Sequence, residues 1–234
     1  MTNQIMPNML DEETAEIALN ILNKRDINVL LNTSAQSFHG KTKAETLKLD
    51  SGEIIRADIF ISATGIIPLI GSLYGTGINI NKGIVVDDNL RTNIPDIYAA
   101  GDIVESKDKI TGENTISAIF YNAIVQGRIA ALNLLGQNHR YEGVYRMNSL
   151  KHLGIPIIAS GQKEGEILKF RHGDVLRKLY IRNDRLVGFQ LTGDIRTAGI
   201  FAALMNKKTA LGNLKNKLLD TGFGMGYVYN YLAV

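Results

Sequence analysis

The sequence contains no cysteine. That excludes a disulfide framework, a thiolate metal site and a redox-active dithiol within the chain. No apolar run approaches the roughly 20 residues of a membrane span. The amino terminus is polar and leans acidic, without the basic and apolar regions of a signal peptide, so a cytoplasmic protein is expected. Seven Phe and nine Tyr are spread thinly and form no stacking platform. The formal charge of +3 reflects a small excess of Lys and Arg rather than a basic stripe, so no nucleic-acid partner is expected. What remains is an ordinary globular composition, 45% apolar and 21% charged over 234 residues. That length can bury one large core or two small ones.

Two further patterns are missing. None of the four histidines, His39, His139, His152 and His172, has the setting of a catalytic base; His39 and His139 sit in polar turns and the others beside Lys or Arg. No side chain is assigned as a catalytic acid, base or nucleophile, and no metal ligand is assigned. There is also no Gly-x-Gly-x-x-Gly opening a βα unit. Gly71, Gly75 and Gly77 are spaced differently. Gly222, Gly224 and Gly226 alternate near the carboxyl end with no room for a βαβ unit, and a turn-rich tail is expected there.

The chain itself reads as mixed α/β. Asp11 is a good N-cap for a helix carrying Ala15, Ala18, Leu19 and Leu22 on one face. Short strands are expected at Ile27–Leu31, Ala35–Phe38 and Thr46–Leu49, with turns at Gly40–Lys43 and Asp50–Glu53. Ala57 to Gly65 is mostly apolar and suits a strand buried on both faces. A further β segment covers Gly83–Val86, and residues 105–115 read as a polar loop containing Thr111-Gly112. Ser117 to Leu135 carries helical spacing of small and apolar residues, with Gly136 as its stop. Gly127 and Ala131, four apart, suit packing of that helix against a sheet. Beyond Arg140–Gly143 come strand-like runs at 155–161, 167–170, 175–181 and 185–191. The pair Asn183-Asp184 forms a hairpin tip, and Leu179, Ile181, Val187 and Phe189 share one buried face. Helices are expected at about 197–207 and 211–219, with Asp194 as a helix-start residue.

The most specific stretch is Arg91-Thr92-Asn93-Ile94-Pro95-Asp96-Ile97-Tyr98-Ala99-Ala100-Gly101-Asp102. Pro95 belongs before a strand rather than within one. Ile97–Ala100 is apolar and stops at Gly101, which permits close approach of a ligand. Asp102 then supplies an acceptor-only carboxylate at the strand's end, where ligands of open α/β sheets bind.

Thr92 with Ile97–Asp102 resembles the second flavin-binding motif of the FAD-dependent pyridine-nucleotide oxidoreductases, whose aspartate hydrogen-bonds the ribityl and pyrophosphate region of FAD. Ala63-Thr64-Gly65-Ile66-Ile67-Pro68 is similar to the segment closing the NAD(P)-binding domain of that family. Asn122-Ala123-x-x-Gln126-Gly127-Arg128 matches its helix after the Gly-Asp motif, whose amino end points at the flavin. Leu186–Phe189 with Leu191-x-Gly193-Asp194-Ile195-Arg196 resembles the terminal domain of rubredoxin–NAD reductases and nitrite reductase large subunits.

The resemblance implies partial FAD- and NAD(P)-binding three-layer domains followed by a small α+β domain. Residues 1–68 would be the second half of the NAD(P)-binding domain, 69–142 the second lobe of the FAD-binding domain, and 143–234 the terminal domain. Gly101, Asp102, Ile119 and Phe120 would meet the flavin, and Ala63, Thr64 and Gly65 the nucleotide junction. The implied activity carries electrons from NAD(P)H through FAD to a protein or small acceptor, with a homo-oligomer as one possible assembly. The family's two dinucleotide fingerprints are absent from these residues, which leaves the FAD site incomplete. The alternative is a non-catalytic binding or assembly module of the same descent.

Overall fold

The computed structural model describes residues 2–109, 112–143, 147–152 and 154–232. It divides into two compact units, residues 1–64 with 147–234, and residues 65–146.

In the first unit, α1 (Glu12–Asn23) begins where expected, with the Asp11 side chain accepting from the Thr14 amide at 3.0 Å. Its buried face is Thr14, Ala15, Ile17, Ala18 and Ile21. Leu19 and Leu22, expected on that face, are only half-buried at its margin. A bulged antiparallel meander follows, β1 (Ala35–His39), β2 (Thr46–Leu49) and β3 (Ile54–Arg56). The carboxyl-terminal part builds a five-stranded antiparallel sheet from β7 (Met147–Leu150), β8 (Ile157–Gly161), β9 (Glu166–His172), β10 (Val175–Arg182) and β11 (Arg185–Thr192). Its order is β7-β8-β11-β10-β9, with the expected turn at Asn183-Asp184, both at positive φ.

Strand alternation divides this sheet's side chains between two covers. Ile157, Ala159 and Leu176 pack with Leu10, Ala15, Ile17, Ala18 and Ile21 of the α1 segment. On the other side, Phe189 meets Phe201 of α3 (Ala198–Asn206) at 5.7 Å between ring centroids. Phe201 stacks on Phe223, and the buried Arg177 guanidinium lies over the Phe201 ring while donating to the Leu218 and Asp220 carbonyls. Both faces are covered, so β10 and β11 are buried along nearly their whole length, and the polar residues within them, Arg177, Lys178, Gln190 and Thr192, are buried too.

A polar network fastens α1 to the sheet. Lys178, buried, reaches Asp11 and Glu13, each at 2.5 Å. Tyr180 donates to Asp11 at 2.8 Å, and Gln190 accepts from the Asp11 amide while donating to Tyr180. Burial alone would raise the Asp11 carboxyl, but the Lys178 ammonium with the Thr14 amide and Tyr180 hydroxyl outweighs it and holds the group at about 2. Burial, then the neighbouring Asp11, pushes the Tyr180 phenol up.

Several local expectations are corrected. Ile27–Leu31 and Ala57–Thr64 join no β ladder among the described residues, and Ile59 and Ile61 are 77% and 87% exposed. An apolar run becomes a strand only beside a partner that takes its backbone hydrogen bonds, and for 57–64 the described residues supply a single one, from the Ala57 amide to the Glu45 carbonyl at 3.4 Å. Asp194 does not cap α3. Its carboxylate instead accepts from the Arg196 amide and pairs with the Arg196 guanidinium, and Thr197 occupies the cap position. The expected helix at 211–219 is a 3₁₀ segment, Gly212–Lys217. The glycine-rich tail forms α4 (Met225–Leu232), with Phe223 and Tyr227 stacked beside its start.

In the second unit, β4 (Ile84–Val85) pairs in parallel with β5 (Val104–Lys107), and β5 pairs antiparallel with β6 (Asn114–Ile116). The polar loop expected at 105–115 is therefore largely a hairpin, closed by Asp108 amide to Glu113 carbonyl at 2.8 Å; Ile110 and Thr111 lie outside the described residues. The buried Glu105 carboxylate accepts from Asn81 and the Lys82 amide, tying the preceding loop to β5. The helix α2 runs Phe120–Leu134, beginning later than the expected Ser117. No helix among the described residues is long and apolar enough to cross a membrane.

The Lys178 cluster makes a testable demand. Asp11 is depressed in the folded state, so its contribution is full above the unfolded value of 3.8 and is lost as pH falls through about 2. Lys178→Met should cost about 1–3 kcal/mol near neutral pH, less than a fully buried pair because both carboxylates are partly solvated. The deficit should shrink at about pH 3, as urea denaturation at the two pH values would report.

Candidate functional site

Within the second unit, residues 90–99 form a tight reversal rather than a free-standing strand. The Thr92 amide donates to Ile97 carbonyl at 2.9 Å and Ala99 amide to Leu90 carbonyl at 3.1 Å. Only a single bridge, Arg91 with Tyr98, has ladder geometry, so the strand expected at Ile97–Ala100 is the short return arm of a hairpin. Pro95 stands at its turn, next to Asp96 at positive φ. The Thr92 hydroxyl is used locally, accepting from the Ile94 amide and donating to its carbonyl.

The arm ends at Gly101 with φ of +90°, in the region L side chains rarely adopt. A Cβ placed there would meet Ala123 of α2 at 3.8 Å, an ordinary contact. Glycine is needed for backbone conformation rather than for space. The Val104 amide then donates to the Gly101 carbonyl at 3.1 Å, turning the chain into β5. Asp102, within this turn, is exposed and its carboxylate has no partner among the described residues. An unshared acceptor beside a helix is available to a ligand donor.

The neighbouring helix is unusual in its faces. Phe120, Tyr121, Ile124, Leu134 and Leu135 point outward, Phe120 with 82% exposure, while Asn122, Gln126 and Asn133 are buried. Each buried amide binds the irregular chain beneath it. Asn122 donates to Ser117 Oγ at 3.1 Å, and Gln126 Oε1 accepts from the Gly101 amide at 2.8 Å. Asn133 donates to the Asn89 and His139 carbonyls and accepts from the His139 amide. The Tyr141 hydroxyl is buried beside Gln126 and Ser106 without a hydrogen bond of normal geometry, and burial raises its pKa. Gly127 and Ala131, expected to pack against a sheet, are exposed.

At its start α2 has Ile119 in the cap position with extended backbone and no capping side chain. The first-turn amides of a helix have no intrahelical acceptor and sit at the positive end of the dipole. Gly101 thus lies against the first turn of α2, with Asp102 next in the chain, and the helix begins at Ile119 and Phe120. Ala63 and Thr64 close the first unit's amino-terminal segment and Gly65, at φ of +96°, opens the second; all three are exposed.

Comparison with known proteins assigns this architecture. Residues 1–127 match the family model described as pyridine nucleotide-disulphide oxidoreductase. The chain belongs to the pyridine nucleotide-disulphide oxidoreductase family. It is 31% identical to an NADH oxidase of Methanocaldococcus jannaschii over 219 residues, 85% of this chain and 49% of that protein. It is 30% identical to an assimilatory nitrate reductase electron transfer subunit of Bacillus subtilis, over 92% of this chain and 28% of that one. Among solved structures, an NAD-dependent persulfide reductase from A. fulgidus superposes with a TM-score of 0.82 at 24% identity, covering 95% of this chain and 46% of that one. This member of the family therefore spans about half the M. jannaschii relative and less of the B. subtilis one.

In the sequence Gln126 stands out only as part of the Asn122–Arg128 motif, and Ser106 carries no signal. Helical spacing of Asn122, Gln126 and Asn133 was the available signal, but an amide stripe on a helix ordinarily reads as its solvent face. The backbone requirement at Gly101 is measurable. Gly101→Ala should destabilise the second unit by about 1–2 kcal/mol through its left-handed φ, seen as faster amide exchange across β5.

Proposed function

We propose that this chain is the carboxyl-terminal portion of a flavoprotein oxidoreductase that moves electrons from NAD(P)H through FAD to a protein or small acceptor. In this reading residues 1–68 belong to the NAD(P)-binding domain, 69–142 to the FAD-binding domain and 143–234 to the terminal domain. The observation that carries it is the Asp102 carboxylate at the Gly101 turn, unpartnered among the described residues, near the start of α2, which has no side-chain cap, in a chain of this family.

The chemistry of these groups suits part of FAD. Asp102 accepts, so it pairs with a ribityl hydroxyl that donates. The first-turn amides of α2 and its dipole favour negative charge at the flavin's pyrimidine edge, with Ile119 and Phe120 against the ring. Ala63, Thr64 and Gly65, small and exposed, let backbone pass near the nucleotide. No Gly-x-Gly-x-x-Gly in these residues cradles a dinucleotide pyrophosphate, so they form one wall of the site. FAD, when bound, supplies the hydride acceptor and the onward route for electrons. The protein's part is to orient the cofactor and exclude water, and no side-chain acid or base is required. A cysteine-free chain suits a reducing cytoplasm.

A second reading, a binding or assembly module, draws on the apolar residues left exposed at Ile59, Ile61, Ile66, Ile67 and Leu69 and on the outer face of α2. Such surface favours association, with further protein or with a second copy.

FAD titrated into the chain, followed by amide shifts, should move Gly101, Asp102, Ile119 and Phe120 with a dissociation constant of about 1 mM, because only part of the cofactor is held. Shifts confined elsewhere, or a stoichiometrically yellow protein on purification, would contradict this one-wall site. NADH-driven dye reduction should be absent from the chain with added FAD; turnover would exclude the module reading.

A further inference from the structure

We propose that Gln126 is the positioning residue of the flavin site, setting the conformation of the Gly101–Asp102 turn without touching the cofactor. This rests on the flavin reading above. Gln126 is only 3% exposed and occupies the buried face of α2, so it is out of a ligand's reach. Its carboxamide is used at both ends. Oε1 accepts from the Gly101 amide at 2.8 Å, and Nε2 donates to Ser106 Oγ at 3.2 Å.

Those partners bracket Asp102. Gly101 precedes it and Ser106 lies on β5, the strand into which the turn leads. The turn itself has one backbone hydrogen bond, Val104 amide to Gly101 carbonyl. A glycine visits many conformations equally well, so the φ of +90° at Gly101 must be selected by what its amide binds. Gln126 is the residue that binds it. The glutamine also fixes which part of α2 lies over the turn, because a side chain of that length places Gly101 against Ala123, one turn back along the helix. Asp102 and the open first turn of α2 are thereby held in register, which is the arrangement a flavin needs if one end is to meet a carboxylate and the other a helix dipole.

Alternatives to Gln126 are few. Asn122 and Asn133 bind Ser117 and the 89/139 loops, and neither is hydrogen-bonded to the turn among the described residues. The buried Tyr141 hydroxyl is beside Gln126 but makes no hydrogen bond that could replace it.

The test uses the whole isotopically labelled chain and compares Gln126→Met, which keeps length and loses the acceptor, with Gln126→Glu, which keeps the acceptor. Gln126→Met should speed exchange of the Gly101 amide about tenfold or more while Ala130 of the same helix stays protected; Gln126→Glu should restore most of the protection. In a parallel FAD titration, the Asp102 shift should have a midpoint at least about fivefold weaker in Gln126→Met than in wild type. Unchanged Gly101 exchange in Gln126→Met overturns the proposal. So does a loosened Gly101 with a wild-type FAD midpoint, which defeats Gln126 alone and leaves the flavin reading standing. FAD leaving wild-type Gly101 and Asp102 unmoved defeats the flavin reading, and Gln126's part in it falls too. If Gln126→Met does not fold, Ser106→Ala, which frees only the donor side of the amide, should loosen Gly101 to a smaller extent; no change there overturns the proposal.

Discussion

Side-chain amides on the buried face of α2 satisfy the backbone of the irregular segments around it, and the second unit depends on this. Its strands are short, so ladders leave many N–H and C=O groups without a partner. A buried backbone group left unpaired costs about as much as a lost hydrogen bond, on the order of 1–3 kcal/mol. Gln126 and Asn133 meet that requirement at Gly101 and at the Asn89 and His139 loops, while Asn122 on the same helix holds the Ser117 hydroxyl. An apolar face would pack but could not specify the conformation of these loops. Amides do both, and the hairpin ending at Asp102 takes its geometry from them.

The same logic in another form holds the first unit. There α1 has an ordinary apolar face against the five-stranded sheet, and its amino end is pinned by Asp11. That carboxylate caps the helix, accepts from Tyr180 and pairs with Lys178, so a single side chain joins local helix initiation to a contact across most of the sequence. Lys178 would be costly to bury alone. It is tolerated because Asp11 and Glu13 both stand over it. In both units, then, polar side chains set position while apolar burial supplies the greater part of the stability.

The exposed apolar positions follow from which backbone groups find partners. Ile59, Ile61, Ile66, Ile67 and Leu69 have the composition of a buried strand, yet no described strand pairs with them in a ladder. The outer face of α2 is likewise apolar. These positions form apolar surface of the kind that favours association.

Much of the protein was legible in its sequence. The α1 cap at Asp11, the Asn183-Asp184 hairpin between β10 and β11 and the need for glycine at position 101 all arise from local chemistry: a side chain reaching its own backbone, or a residue type that tolerates positive φ. The family resemblance drew on the same short-range signals. Only tertiary structure decided the rest. Whether Ala57–Thr64 and Ile97–Ala100 become strands depends on partners distant in sequence, and the glycine-rich tail folds as α4 beside Phe223, itself stacked on Phe201. Which face of α2 points inward could not be read from periodicity, since its amides are buried and its aromatics exposed. That choice is made by backbone donors and acceptors in loops up to tens of residues away, and the hydrogen bond from Gly101 to Gln126 exists only once the chain has brought the two together.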